Sequence, residues 1–307
     1  MDSQRIIAGA LMTIAMTLVG SGVVASKIIA GGMHPFLAVP LRFLISTPIL
    51  WGLVFLTSTP RSRLLAKEYM IVMIQAAAGS AGYSILMILA LTLTTSANSS
   101  VIHGLLPVLA ALVATLALKE RLGAKLWIAV GAVTAGALIV NVASAKGFGL
   151  DLKLLAGNLL VVLAVSGEAL FAILNKRISK PLAPLYLAAL MSSISLVLTL
   201  PLATALVAFT TVAAAPAALL ATVYISIFPT VIGFWLWYSG AARASGGEAG
   251  VFMAVLPVAA LALSFLLLGE TITTIHILGT ALVVLGIAVS VSGARTVKKQ
   301  AAEGAHV

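Results

Sequence analysis

The 307-residue chain contains no cysteine, which removes disulfide staples, thiolate metal sites and thiol redox chemistry together. Charge is almost as scarce: 8% of the residues are Asp, Glu, Lys or Arg, against about a quarter in a soluble domain. Acidic residues number eight and Lys plus Arg eighteen, for a formal net charge of +10. What fills the chain instead is apolar, with 62% hydrophobic residues and a mean hydropathy of +1.19. No aqueous surface could be covered with so little charge, and apolar runs of about twenty residues match the thickness of a bilayer core. The sequence is that of an integral membrane protein.

Cuts at the polar and Gly/Pro breaks leave ten spans: Ile6–Ala30, Pro35–Leu56, Tyr69–Leu91, Ala97–Leu118, Leu126–Ser144, Leu154–Asn175, Leu185–Phe209, Ala218–Gly240, Glu248–Leu268 and His276–Gly293. Each is too long and too continuously apolar for a barrel strand, which is about ten residues of alternating character, so an all-α membrane fold is expected. The N-terminal run exceeds the core of a secretory signal and reads as a retained first span.

The excess positive charge could suggest a nucleic-acid partner, but its distribution argues against one. With both termini and the connections 2–3, 4–5, 6–7 and 8–9 on one side, that side holds fourteen Lys and Arg, among them Arg5, Arg61, Lys119, Lys176, Arg243 and Lys299. The opposite side holds Lys146 and Lys153. Cationic loops stay in the cytoplasm, so both termini are expected there. The basic residues then face the lipid bilayer, and no nucleic acid is expected as a partner.

The chain also repeats itself. Residues 106 to 120 read LPVLAALVATLALKE and residues 256 to 270 read LPVAALALSFLLLGE. Pro107 pairs with Pro257 and Glu120 with Glu270 at an offset of 150, and Lys27 pairs with Lys176 at 149. Two halves of five spans follow, residues 6–144 and 154–293, joined by an external connection at 145–153 and ending in a basic, disordered tail at 294–307. Because five is odd, the second half must be inverted in the membrane. KERLGAK after span 4 keeps its cations, whereas GETITTI after span 9 has none, as a positive-inside bias acting on opposite sides requires. Inverted halves around a central site are the architecture of alternating-access transport.

These residues also carry a family resemblance. Each half resembles an EamA-type domain of the drug/metabolite transporter superfamily: a first span ending in lysine (VGSGVVASK, SGEALFAILNK), a second opening after HP with an Arg-Phe pair (HPFLAVPLRF), then LP followed thirteen residues later by Glu. The likeness covers almost the whole chain. It implies a ten-helix secondary transporter of the bacterial inner membrane that exports small organic solutes, most similar to the amino-acid and metabolite exporters, including those for aromatic amino acids. Met191 stands where the second half should repeat Arg42, so any role of Arg42 belongs to one half.

Charges inside spans are costly and usually face a cavity or a partner. Glu168 lies about fourteen residues into span 6, roughly 21 Å deep at 1.5 Å per residue. It is either a cavity carboxylate for a substrate ammonium or a proton, or a structural partner. Arg42 sits only about 10 Å deep on the same scale, so the two are not expected to pair directly; a substrate carboxylate or a carbonyl cluster are its alternatives. His103 precedes Pro107 in NSSVIHGLLP and could line the cavity or be a buried, hydrogen-bonded histidine. Tyr83 lies among small residues that permit close helix approach, and Gln75 and Asn98 are further polar candidates for binding or gating in spans 3 and 4. In GFWLWY, Trp235 and Tyr238 share a helical face while Trp237 points elsewhere, and an interfacial aromatic belt competes with pocket lining. Pro107 and Pro257 each remove a backbone donor within a span and mark kinks.

Other classes lack their machinery. HExxH, thiols and a GxxxxGK[ST] loop do not occur, which argues against intramembrane metalloproteolysis and nucleotide-driven pumping. No metal or cofactor is expected, and the substrate is a small molecule. Proton antiport would require a titrating group, a role open to Glu168 and His103, while facilitated export requires none. Sparse buried charge favours neutral or zwitterionic metabolites such as amino acids; other small organic solutes or drugs, and a channel-like facilitator, are the alternatives.

Overall fold

The computed structural model describes residues 3–106, 151–174, 182–209, 213–241 and 255–282, with 109, 112, 113, 177, 178, 243, 252, 253, 284 and 285 between and beyond them. Span 5, the tail, Pro107, Glu120 and Lys176 lie outside the described residues. Among those described, the chain is helical, with one isolated bridge between Met33 and Ala214.

Six stretches are long and apolar enough to cross a bilayer, and Val255–Leu268 is a shorter apolar helix. The first two are α1 (Ser3–Ala30) and α2 (Pro35–Leu56). The third is composite: α3 (Ala66–Ala76), a π-helical segment (Ala77–Gly82) and α4 (Tyr83–Leu93). After a break at Thr94 and Thr95 comes α5 (Ser96–His103). In the second copy, α6 (Leu152–Leu174) and α7 (Pro184–Phe209) precede another composite of α8 (Pro216–Ile225), a π-helical segment (Ser226–Gly233) and α9 (Phe234–Ala241). The last named helix is α10 (Val255–Leu268). Pro35, Pro184 and Pro216 each open a helix, where a missing N–H costs nothing and the fixed φ suits the first turn.

The third and eighth stretches are therefore longer than the polar breaks suggested, and both are interrupted by π turns. Span 9 is expected from Glu248, which lies outside the described residues; among those described, Met253 is in a turn and α10 begins at Val255. Pro257 thus occupies the first turn of α10, where its absent N–H has no intrahelical partner to lose.

Polarity is arranged inside out. Leu56, Phe209, Leu220 and Leu266 are among the most exposed side chains, while Ser46, Ser195, Thr222, Ser226 and Ser264 are fully buried. Lipid takes the large apolar groups, and small hydroxyls allow close helix contact while bonding to their own backbone or across helices. Thr199, Thr222, Ser226 and Ser264 each donate to the carbonyl four residues back.

The helix pairs obey a two-fold relation. α2 packs on α7 and α5 on α10; α4 packs on α6 as α9 packs on α1; α1 packs on α10 as α6 packs on α5. Exchange of the two sequence copies maps every one of these pairs onto itself or another.

Candidate functional site

The two π-helical segments begin at Ala77 and Ser226, an offset of 226 − 77 = 149, the spacing that also relates Lys27 to Lys176. They occupy equivalent places in the two copies. Wider π turns leave helix geometry irregular and recur at functional sites. Both segments border one cavity of about 120 Å³, enclosed by α1, α2, α4, α6, α7 and α9. Leu50, Phe171, Met191 and Phe234 give it apolar walls, and Arg42, Tyr83 and Glu168 are its ionisable side chains.

Close backbone contact places Glu168. A Cβ on Gly167 would lie 2.4 Å from the carbonyl oxygen of Ala78, and one on Gly79 would lie 2.4 Å from Cβ of Phe171. Only glycine at both positions lets α6 touch the first π segment, so the neighbouring carboxylate reaches the cavity. Oε2 of Glu168 stands 2.9 Å from Nε2 of His103, whose side chain is 1% exposed against 25% for Glu168. The contact is close but lies off the hydrogen-bonding direction, and among the described residues Nδ1 of His103 has no hydrogen-bond partner. His103 also meets the Tyr83 ring edge to face, with centroids 5.9 Å apart.

Arg42 enters from α2. Its Nε donates to Oγ1 of Thr230 at 3.1 Å and its Nη1 to Oγ of Ser84 at 2.8 Å, with the guanidinium 5.4 Å from the centre of the Phe43 ring. Arg42 and Glu168 thus face the same cavity, while the short-range partner of Glu168 is His103.

The remaining candidates are distributed differently. Trp235 is 58% exposed and lines a more open hollow of about 380 Å³ beside Pro60, Pro184 and Ser239, which shares Ala188 and Phe234 with the cavity wall. Trp237 is half-buried and lines neither hollow; the side chain of Tyr238, like Pro107, lies outside the described residues. Gln75 is buried behind the cavity, where Nε2 donates to the carbonyl of Phe171 at 2.9 Å.

Asn98 belongs to a second polar cluster at the break between α4 and α5. The α-helical hydrogen-bond ladder is interrupted there, leaving carbonyls at the end of α4 and N–H groups at the start of α5. Lys27 Nζ donates to the carbonyls of Leu91 and Thr94, each at 2.7 Å. The carboxylate of Glu270 accepts from the N–H groups of Ser96 at 2.9 Å and Ala97 at 2.7 Å. Cation on a C-terminus and anion on an N-terminus both complement the helix dipole. Gly269, at φ 64°, bends the chain after α10 and so directs Glu270 toward α5. Nε2 of His276 lies 2.9 Å from Oδ1 of Asn98, and Nδ1 lies 2.8 Å from Oγ1 of Thr273.

Sequence reasoning marked Lys27 and Glu270 only as repeated positions and passed over Ser84, Thr230 and both π segments. Glycines within GSAG and a proline within SIFPTVIG were the available signals.

The profile of the EamA-like transporter family matches residues 6–142 and 155–292. The chain belongs to the EamA-like transporter family. Like its relatives, this EamA-like protein is a multi-pass membrane transporter and not an enzyme. It is 31% identical over 279 residues to "Uncharacterized transporter YetK" of Bacillus subtilis (strain 168), covering 90% of this chain and 84% of that protein. A second relative from the same organism, "Uncharacterized transporter YyaM", is 22% identical over 265 residues, covering 85% and 86% respectively. A solved crystal structure shares the fold at a TM-score of 0.65 and 22% identity, covering 94% of the transporter and 98% of that chain.

Proposed function

We propose that the protein exports small zwitterionic metabolites, amino acids including aromatic ones, by alternating access around the central cavity. The observation that carries this reading is the presence of one carboxylate and one guanidinium, Glu168 and Arg42, in a wall that is otherwise largely apolar. An ammonium is matched by Glu168, a carboxylate by the planar donor fork of Arg42, and an apolar side chain by Phe171, Met191 and Phe234. Multiply charged solutes have no comparable set of partners there.

The repeat is read as inverted, with ten spans, both termini in the cytoplasm and residence in the bacterial inner membrane. Its support is the loop-charge pattern. The two-fold relation of helix pairs then supplies the moving parts: one packing of the copies exposes the cavity to one side, and the equivalent packing after exchange exposes it to the other. If export is coupled to protons, the proton site we propose is the His103–Glu168 pair, whose side chains approach to 2.9 Å beside the cavity.

Counterflow in liposomes tests the reading. Liposomes containing the purified protein and preloaded with unlabelled amino acids should accumulate labelled threonine, methionine or phenylalanine saturably, and Glu168→Gln should lose this while remaining folded. Absence of exchange across the amino-acid panel by a folded protein would defeat the amino-acid assignment.

A further inference from the structure

Two hydroxyls connect Arg42 to the π segments. Ser84 Oγ, which accepts from Nη1 of Arg42, donates at 2.7 Å to the carbonyl of Ser80, inside the first segment. Thr230 Oγ1, which accepts from Nε, belongs to the second segment and donates at 2.7 Å to the carbonyl of Ile225, the residue before it. One side chain therefore holds both irregular turns, one from each copy of the repeat. Met191 replaces arginine at the equivalent place in the second copy and also lines the cavity, so the connection is made once per molecule.

The guanidinium carries five N–H donors, and the two engaged here belong to different edges of its fork. Nε is part of the side edge and Nη1 of the end edge, with Nη2 common to both. Arg42 is partly exposed to the cavity. Nε has a single N–H, so a carboxylate bound bidentately to the side edge must take it from Thr230, whereas Nη1 has two and can keep its bond to Ser84. We propose that Arg42 selects a substrate carboxylate through its side edge and, in binding it, gives up its hold on the second π segment while keeping that on the first.

This deepens the zwitterion reading above and rests on it for the location of the carboxylate. A ligand moves a conformational equilibrium only by binding its two states differently. Here the difference is the exchange of a hydroxyl acceptor for a charged one. An amine without a carboxylate meets Glu168 and leaves the hydroxyl connections intact. Arg42 is thus a specificity-determining residue that also couples recognition to the two turns.

The native chain lacks cysteine, so a single reporter thiol can be introduced without background. The test uses full-length protein carrying Ser239→Cys, in the open hollow and away from the cavity, reconstituted in liposomes. Labelling by N-ethylmaleimide and equilibrium binding are measured with 3-phenylpropionate, phenethylamine and phenylalanine. Phenylpropionate and phenylalanine should bind and change the labelling rate, whereas phenethylamine should not change it.

Ser84→Ala combined with Thr230→Val keeps Arg42 and frees its donors. That variant should bind phenylpropionate about tenfold more tightly, the scale of a charged hydrogen bond no longer in competition, and should label at the shifted rate before ligand is added. Amine binding should be unchanged. The proposal is overturned if phenylpropionate fails to bind the folded wild-type protein, if its affinity is unaltered in the double variant, or if the labelling change persists in Arg42→Gln. Loss of amino-acid counterflow with the acid response intact would defeat the substrate reading alone. Counterflow intact, with an acid response independent of Ser84 and Thr230, would defeat this inference alone.

Discussion

The protein has two polar centres with opposite economies. At the break between α4 and α5, Lys27 and Glu270 are each committed to two backbone groups of a helix end. In the central cavity, Glu168 has one imperfectly aligned neighbour and Arg42 uses two donors of its five. Saturated charges fix a fold, because anything that replaced their partners would have to offer the same set of bonds. Charges with spare capacity next to open volume can accept a ligand. The number of charged groups is similar in the two places, and their degree of satisfaction separates structure from function.

The comparison is broken most severely by Glu168→Gln. Exchange of amino acids should fall by about thirtyfold or more, the cost of removing one partner of a desolvated charge pair, while the unfolding midpoint in detergent stays within error of wild type. Glu270→Ala should do the reverse. Two charged hydrogen bonds to the start of α5 are lost, at about 1.5–3 kcal/mol each before relaxation, so thermal unfolding should shift down while the folded fraction retains its affinity for substrate. Equal loss of activity per folded molecule in both variants would erase the distinction.

Gln75→Met is a milder probe. Among the described residues the amide bonds to Phe171 and its Oε1 has no partner, so a side chain of similar size should change stability by about 1 kcal/mol. Trp235→Ala should be milder still, altering counterflow by less than about twofold, since an exposed aromatic that borders only the outer hollow contributes mainly interfacial anchoring. A large effect there, measured with both an aromatic and an aliphatic amino acid, would move substrate recognition outward.

Much of this was legible in the chain. Apolar length located the membrane-crossing stretches, and LP…E together with the paired lysines exposed the duplication. Glu168, Arg42 and Tyr83 were identifiable as cavity candidates because charge or a bulky phenol within a span demands an explanation. The π segments are marked in the sequence only by the glycines of GSAG and the proline of SIFPTVIG, which do not distinguish a π turn from an ordinary close-packed helix; the turn at Ala77–Gly82 goes with the way Gly79 meets Gly167 across 88 residues of chain. Asn98 illustrates the same limit. It is expected from the sequence as a polar candidate for binding or gating, yet its partner His276 lies 178 positions away, and only folding brings the two together. The dropped lysine has a local meaning too: the place of Lys119 is taken in the second copy by Gly269, whose positive φ aims Glu270.

Where α2 crosses α7, Trp51 Nε1 donates to Oγ of Ser193 at 2.9 Å, and Ser46 and Thr47 meet Ser192 hydroxyl to hydroxyl, at 2.8 and 2.9 Å. Each of these last three hydroxyls can donate or accept, so the bonds among them have no fixed direction, unlike that of the indole. On the alternating-access reading proposed above, this crossing would act as a bearing: turning one copy on the other would reverse or hand on a hydroxyl bond, and the Trp51 donor would have to be re-paired. Resistance to such a turn would then fall on the indole and on the walls of the cavity, away from the serine contact at the axis.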